Sequence, residues 1–463
     1  MFLRVIFEQS LGTGDIPQDW CQALVHPVFK GGNPKQPENY RPISLTCLCC
    51  KMMERILASS VVAHLENGNL LSQNQHGFRR HLSCESQLIM LCQDVMASID
   101  KRNNVDLAFI DFSKAFDKVQ HSLLIHKLEA YNLDKNVIRW IRSFLTNRTQ
   151  MVIMENFHSE PIAVTSGVPQ GSVLGPILFL LYINDLPDKI NCQVRLYADD
   201  VVLYTNVISS NESNSTLQTD LDRLTQWCKD WKMSINVDKC AIMRMSRRKG
   251  VVEPKYYLND LEVRVVQDFK YLGVHISNTC NWQKHINHIT CKGNQMLRFI
   301  KRNFKGCPQA VKKNVYTALV RPLVEYACCV WDPCGEGMKH ELEMVQRRAA
   351  RFVLDDYNRE SSVTDMLSNI GWEILESRRK EARLCLLFKM YHNRSKFDVS
   401  NIILDPCYVG RNDHRKKIRR LQSRILPYHT SFFPKTIRDW NRLSQNTMNV
   451  ESLKDFKKMF GQT

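Results

Sequence analysis

The chain has 463 residues, 44% of them hydrophobic and 24% charged, which is more than one ordinary domain and a globular balance that excludes a disordered or low-complexity polypeptide. Its 64 Lys+Arg against 47 Asp+Glu leave a formal charge of +17, so the expected partner is a polyanion, either nucleic acid or an acidic membrane surface. Seventeen scattered cysteines, among them the neighbours Cys49-Cys50 and Cys328-Cys329, follow no secretory signal, and the longest apolar run (VLGPILFLLYI, from Val173) is too short for a bilayer; free thiols, a reducing intracellular compartment and no membrane span are expected.

Residues 31–45 are punctuated by Pro and Gly and read as loop or extended chain. Residues 50–67 place Met53, Ile56, Leu57 and Val61 at helical spacing, and residues 83–100 do the same with Leu88, Leu91, Cys92 and Val95. VDLAFIDF (105–112) reads as a strand. Helical patterns fill about 122–146, a strand starts at Gln150, and 167–187 begins as loop and becomes helix. VRLYADDVVLYT then predicts two short strands with aspartates at the turn between them. The polar stretch 209–218 is expected to be a loop. A helix follows with Leu217, Leu221, Leu224, Trp227 and Trp231 on one face. Strands are predicted from Lys239 and over 269–276. After Ser277 the pattern is helical to about Tyr391, and 395–463 is basic with few clear periods. Strands in the middle with helices between and after them indicate an α+β core, an antiparallel sheet with helices on one face.

Asp199 and Asp200 interrupt an apolar strand pattern, where Asp is disfavoured, and a tight turn resolves the conflict. Asp111 ends another apolar strand. If the two strands lie side by side, Asp111 and Asp199 meet, and carboxylates of like charge in one place require a cation. Hard oxygen ligands without nearby His or Cys suit Mg²⁺. Two such ions about 4 Å apart activate an attacking oxygen and stabilise a leaving one, which is phosphoryl-transfer chemistry.

FIDFSKAFDKVQH, GVPQGSVLGPILFLLYINDLP and YADD resemble successive motifs of reverse transcriptases. NYRPISLT and QHGFRRHLSC resemble the finger motifs of the non-LTR (LINE-type) retrotransposon branch, especially its jockey-like animal elements, and FKYLGVHI is similar to the strand that holds the primer end. The likeness runs in order from about Ile16 to Ser277. It implies a right-hand polymerase fold: fingers at 1–104 with part of 118–165, an antiparallel-sheet palm at 105–276, a helical thumb at 277–394 and a basic accessory region at 395–463. It implies RNA-directed DNA synthesis on an RNA template from a DNA primer with dNTPs and two Mg²⁺, with Mn²⁺ as a substitute, in the nucleus or cytoplasm.

By the same resemblance, Asp111 and Asp199 match the main metal ligands and Asp200 a third, less strictly coordinating carboxylate, since neighbours on a strand face opposite ways. Phe116 matches the steric gate beneath the sugar, although its helical spacing from Phe112 also suits core packing. Gln170 and Gly171 match the loop that touches nucleotide and template base. Arg41 and Arg79 match finger cations that meet the triphosphate, with Lys30 a further candidate. Lys239 matches the lysine that protonates pyrophosphate, a role that a merely solvated lysine would not fill. Asp117 sits where RNA-dependent RNA polymerases place a second Asp for the 2′-OH; with Phe116 and YADD present, it is expected to cap or brace the segment that follows. Cys280, His285, His288 and Cys291 share one helix too closely to surround a zinc ion. The endonuclease that usually precedes such polymerases has no counterpart here, so a reading frame truncated at its start is expected. That leaves two readings, an active polymerase and a non-catalytic nucleic-acid-binding remnant.

Overall fold

The fold is that of a computed structural model, which describes residues 2–207, 213–247, 253–392, 398–410 and 413–460. The chain opens with helix α1 (Phe2–Thr13) and the paired strands β1 (Gln22–Phe29) and β2 (Tyr40–Leu45). Helix α2 (Leu48–Asn67) buries Met53, Leu57, Val61 and Leu65, a stripe of spacing four, while Ile56, expected on that face, points to solvent. Helix α3 (Cys84–Asp100) starts at a capping box in which the Ser83 and Ser86 side chains satisfy each other's backbone N–H. It is buried on nearly every face.

Strand β3 (Asn104–Ile110) is buried along its whole length. The expected helical stretch after it is two helices, α4 (His121–Ala130) and α5 (Lys135–Leu145). Asn132 at φ +52° turns the chain, and the Asp134 carboxylate caps α5 by accepting from the N–H of Asn136 and Val137. Strands β4 (Arg148–Met154), β5 (Phe157–His158) and β6 (Ile162–Val164) join the first two in a sheet of order β2-β1-β4-β5, with β6 on β4. Strand β1 is not evident in the sequence pattern. Pro27 obscures it, and the structure places that proline beyond Val25, where the pairing of β1 with β4 stops.

Helix α6 (Gly175–Ile183) leads to β7 (Gln193–Tyr197), β8 (Asp200–Val207), helix α7 (Ser213–Asp230) and β9 (Ala241–Met245). Of the stretch expected to be a polar loop, Ser209–Glu212 lie outside the described residues. From Ser213 it is helix, drawn in by the buried Leu217, Leu221 and Leu224. The central sheet is antiparallel in the order β7-β8-β3-β9. Its two faces differ from the one-sided helical cover expected. Val105, Leu107 and Phe109 of β3, with Val202 and Tyr204 of β8, face a core shared with α3 and the C-terminal helices. Ala108, Ile110, Val201 and Leu203 face a second core with α4 to α7. Helices therefore cover both faces, which explains why these strands are continuous apolar runs.

FKYLGVHI is not one strand. After the small pair β10 (Tyr257–Leu258) and β11 (Leu261–Glu262) comes a tight hairpin of β12 (Asp268–Tyr271) and β13 (Val274–Ser277), turned by Leu272 and Gly273, both at positive φ. The Tyr326 hydroxyl donates to the Leu272 carbonyl at 3.0 Å and ties this turn to the helices beyond. Among these, Gln283–Asn303, Glu336–Leu354 and Leu375–Tyr391 are the longest. The basic C-terminal stretch folds into helices of four to nine residues, too short to show a period, such as Phe432–Trp440. Phe433, Ile437, Trp440, Met448 and Phe456 are fully buried, and the Asp100 carboxylate of α3 accepts from the N–H of Arg424 and Ile425. The stretch is built into the core. Asp332 lies under it, accepting from Arg379 Nε at 2.7 Å, Arg383 Nε at 2.9 Å and Lys435 Nζ at 2.6 Å. All 17 cysteines are free thiols, and among the described residues no helix is long and apolar enough to cross a membrane.

Candidate active site

The register of the central sheet brings the carboxylates together. Ile110 pairs with Val201 and Tyr197 with Asp200, so Asp111, one residue past β3, lies beside the tip of the β7–β8 hairpin whose two turn residues are Ala198 and Asp199. Burial is the first cause that raises all three carboxyl groups above the ordinary range. The Asp111 charge adds to the effect at Asp199, and Asp199 and Asp111 together help push Asp200 to about 6. Opposing charge arrives only from the rim. Lys239 Nζ stands 4.0 Å from Asp111 Oδ2, Lys30 also draws Asp111 down, and the exposed Arg41 draws Asp199 down.

This donor set is three like-charged hard oxygen groups at one sheet end, the chemistry of a Mg²⁺ site. The three do not converge on a single point. Among the described residues the only such trio with ligand atoms all within 4.8 Å of one another is Glu85, Cys328 and Cys329. The aspartates therefore fit a site that shares its ligands unequally between ions, with Asp199 in the turn and Asp200 at the start of β8.

The hairpin tip is clamped by residues that no charge or periodicity pattern in the sequence marks. Ala198 adopts φ +56°, a costly conformation for a residue with a Cβ. It is held there by the buried Gln75, whose Oε1 accepts from Ala198 N at 2.9 Å and whose Nε2 donates to Ala198 O at 3.3 Å. Residues 74–76 run along β7, with Leu196 N donating to Asn74 O and His76 N to Leu196 O, both at 2.9 Å. Gly77 follows because a Cβ there would sit 2.3 Å from Ala198 N. The glycine of QHGF was the available signal, since glycine permits such close approach.

Phe116 stacks on Phe179, centroids 4.5 Å apart, and meets Phe78 edge-on at 6.2 Å. It is half-buried, so the ring both packs and presents an edge. Gln170 Nε2 donates to Asp117 Oδ1 at 2.9 Å, and the Gln170 carbonyl accepts from Ser44 N at 2.6 Å. Asp117 thus braces a residue 53 positions on, and not the segment that follows it. Gly171, at φ +119°, would place a Cβ 2.5 Å from the Ser44 carbonyl, so its close approach is to β2. A cavity of about 310 Å³ lies behind this loop, lined by Ser44, Asp117, Arg148, Gln150 and Gln170 among others.

Arg79 does not fit its expectation. Its guanidinium is buried, paired with Glu66 at 3.0 Å and donating to the Ser72 carbonyl at 2.8 Å, so it braces α2 against the loop before α3 and has no fork left for a triphosphate.

Residues 33–276 match the family described as reverse transcriptase (RNA-dependent DNA polymerase). Among curated proteins, the chain is 28% identical over 372 residues to the probable RNA-directed DNA polymerase from transposon BS of Drosophila melanogaster, covering 77% of this chain and 40% of that protein. It is 29% identical over 366 residues to the RNA-directed DNA polymerase from mobile element jockey of the same organism, covering 76% and 39%. The chain spans about two fifths of the length of these relatives. Among solved structures it resembles apo telomerase from Candida tropicalis (TM-score 0.45, 10% identity, 86% of this chain and 72% of that one). It also resembles telomerase from Candida albicans with a fragment of telomeric RNA (TM-score 0.41, 11% identity, 85% and 64%).

Proposed function

The chain belongs to the reverse transcriptase family, and from that premise we propose that it is an RNA-directed DNA polymerase of the non-LTR retrotransposon type, extending a DNA primer 3′-OH with dNTPs on an RNA template. The observation that carries this reading is the meeting of Asp111 with Asp199 and Asp200 at one end of the central sheet, on a hairpin tip clamped by Gln75. Asp111 and Asp199, with Asp200 as a lesser ligand, would hold two Mg²⁺ (or Mn²⁺ in their place). Bound there, the ions supply charge neutralisation for an attacking 3′-OH and a departing pyrophosphate.

The chain's own groups do the rest. Arg41, exposed on β2 and drawing Asp199 down, binds the triphosphate. Lys239, beside Asp111, is placed to give a proton to the pyrophosphate oxygen as it leaves. Phe116, backed by Phe179, fills the volume a 2′-OH would need. Gln170 orients the nucleotide against the templating base. The N-terminal sheet with α2 serves as fingers, the central sheet as palm, and the helices from Gln283 onward as a basic thumb that grips duplex backbone without reading sequence. An intracellular site of action, nuclear or cytoplasmic, follows from this role.

The test is primer extension on oligo(dT)–poly(rA) with Mg²⁺, comparing dTTP with UTP and wild type with Asp199→Ala. Extension with dTTP, weak extension with UTP and loss in the variant support the reading. A folded chain that binds the duplex and extends nothing overturns it.

A further inference from the structure

Gln170 needs holding because it borders empty space. We propose that Asp117 is a positioning residue for nucleotide selection: its carboxylate fixes the Gln170 amide toward the incoming nucleotide and so sets dNTP affinity and the preference for deoxyribose over ribose. The proposal rests on the reading that Phe116 and Gln170 face the nucleotide.

The backbone around the pair is already fixed without the carboxylate. Val168 N donates to Phe116 O and Gly167 N to Val119 O, both at 2.8 Å, and Ser166 Oγ donates to Asp117 O at 3.0 Å. Gly167, at φ +90°, lies so close that a Cβ would meet the Asp117 backbone at 2.8 Å. What the carboxylate adds is the direction of one side chain. Gln170 has several rotatable bonds, and the cavity of about 310 Å³ is lined by Gln170 and Asp117 together with Ser44, Arg148 and Gln150. The last three offer the Gln170 amide other polar partners. The hydrogen bond from Gln170 Nε2 to Asp117 Oδ1 at 2.9 Å, on the wall of the same cavity, selects one rotamer among these. It leaves the Gln170 oxygen and one N–H for a ligand. Because Phe116 and Asp117 are neighbours on one short turn (Ala115–Lys118), the sugar gate and the amide are set by the same piece of chain. A rival role exists for this carboxylate: direct contact with a sugar 2′-OH or with the cations of the site. The two roles differ in whether the charge or only an acceptor oxygen matters. Asp117→Asn keeps an oxygen for the Gln170 N–H and removes the charge, whereas Asp117→Ala removes both.

The experiment measures equilibrium binding of dTTP and UTP to the full chain on oligo(dT)–poly(rA) with a dideoxy-terminated primer, then KM and kcat on the extendable primer. Asp117→Ala is expected to weaken dTTP binding about tenfold and to lower the dTTP-over-UTP preference several-fold, with kcat within about threefold and an unchanged melting temperature. Asp117→Asn is expected to stay within about twofold of wild type. Unchanged dTTP affinity in Asp117→Ala overturns the proposal, and so does an Asp117→Asn chain as impaired as Asp117→Ala, since the charge would then act directly. A wild type that binds dTTP but does not extend refutes the polymerase reading, while the binding comparison still decides the role of Asp117. A wild type that binds no dTTP refutes both.

Discussion

Two charged clusters in this molecule are built on opposite terms. At the end of the central sheet, Asp111, Asp199 and Asp200 crowd together with opposing charge only at the rim; burial raises all three, and repulsion from the neighbouring carboxylates adds to it at Asp199 and Asp200. Under the C-terminal helices, the buried Asp332 is surrounded by Arg379, Arg383 and Lys435. Its pKa is lowered, because those three cations outweigh the burial that would raise it. The second cluster is closed: its three cations all pair with Asp332, and Arg383 also reaches Asp439, so that Phe432–Trp440 is tied to Leu375–Tyr391. The first is open and costs stability to keep, as the proposed cation site would before its ions bind. A carboxylate count cannot tell the two apart; the neighbours do.

Substituting one member of each cluster separates them most sharply. Asp199→Ala should abolish extension, a loss on the order of a thousandfold or more for several kcal/mol of transition-state stabilisation, while urea denaturation shows stability unchanged or raised, because one of three repelling charges is gone. Asp332→Ala should do the reverse to the fold. It strands buried cations and should cost about 3–5 kcal/mol, read as a drop in the urea midpoint. Equal stability losses in the two variants would end the distinction.

A smaller effect is expected at the clamp. Gln75→Ala removes both side-chain bonds that hold Ala198, leaving buried backbone groups unmet, at a cost of about 1–3 kcal/mol. Most of it should appear as lost primer extension at a melting temperature only a few degrees lower, since the defect sits at the tip that carries Asp199.

The smallest net effect is with pH, where two contributions of opposite sign largely cancel. His76, buried behind the hairpin, has its pKa lowered to about 3 chiefly by burial. Its unfolded form takes a proton first, so the stability it contributes is complete above about pH 6.5 and is lost as pH falls toward 3. Asp200 is raised to about 6, so its folded form binds the proton more tightly, and stability declines as pH rises from about 4 through 6. Urea midpoints taken from pH 4 to 7 without divalent metal should therefore show a shallower rise than His76 alone predicts, and Asp200→Asn should steepen it. A slope that Asp200→Asn leaves unaltered would refute the raised pKa that burial and neighbouring charge give Asp200 at the open site.

Sequence by itself determined much of this protein. The two aspartates demanded a turn because Asp sits badly in a strand, and the turn is there. The apolar run before Asp111 demanded a buried strand, and helix periods placed α2, α3 and α7. All of these are local demands, made by neighbours within a few residues. Tertiary structure decided what depends on partners far along the chain. It split FKYLGVHI into a hairpin at Leu272-Gly273, covered both faces of the central sheet, and turned the basic C-terminal stretch into core. It also took Arg79 away from the phosphates by giving it Glu66, thirteen residues earlier, and gave Asp117 and Gln75 their work by setting them against Gln170 and Ala198. Composition and period carry no record of such pairings, because a hydrogen bond between distant residues exists only once the chain has closed the loop between them.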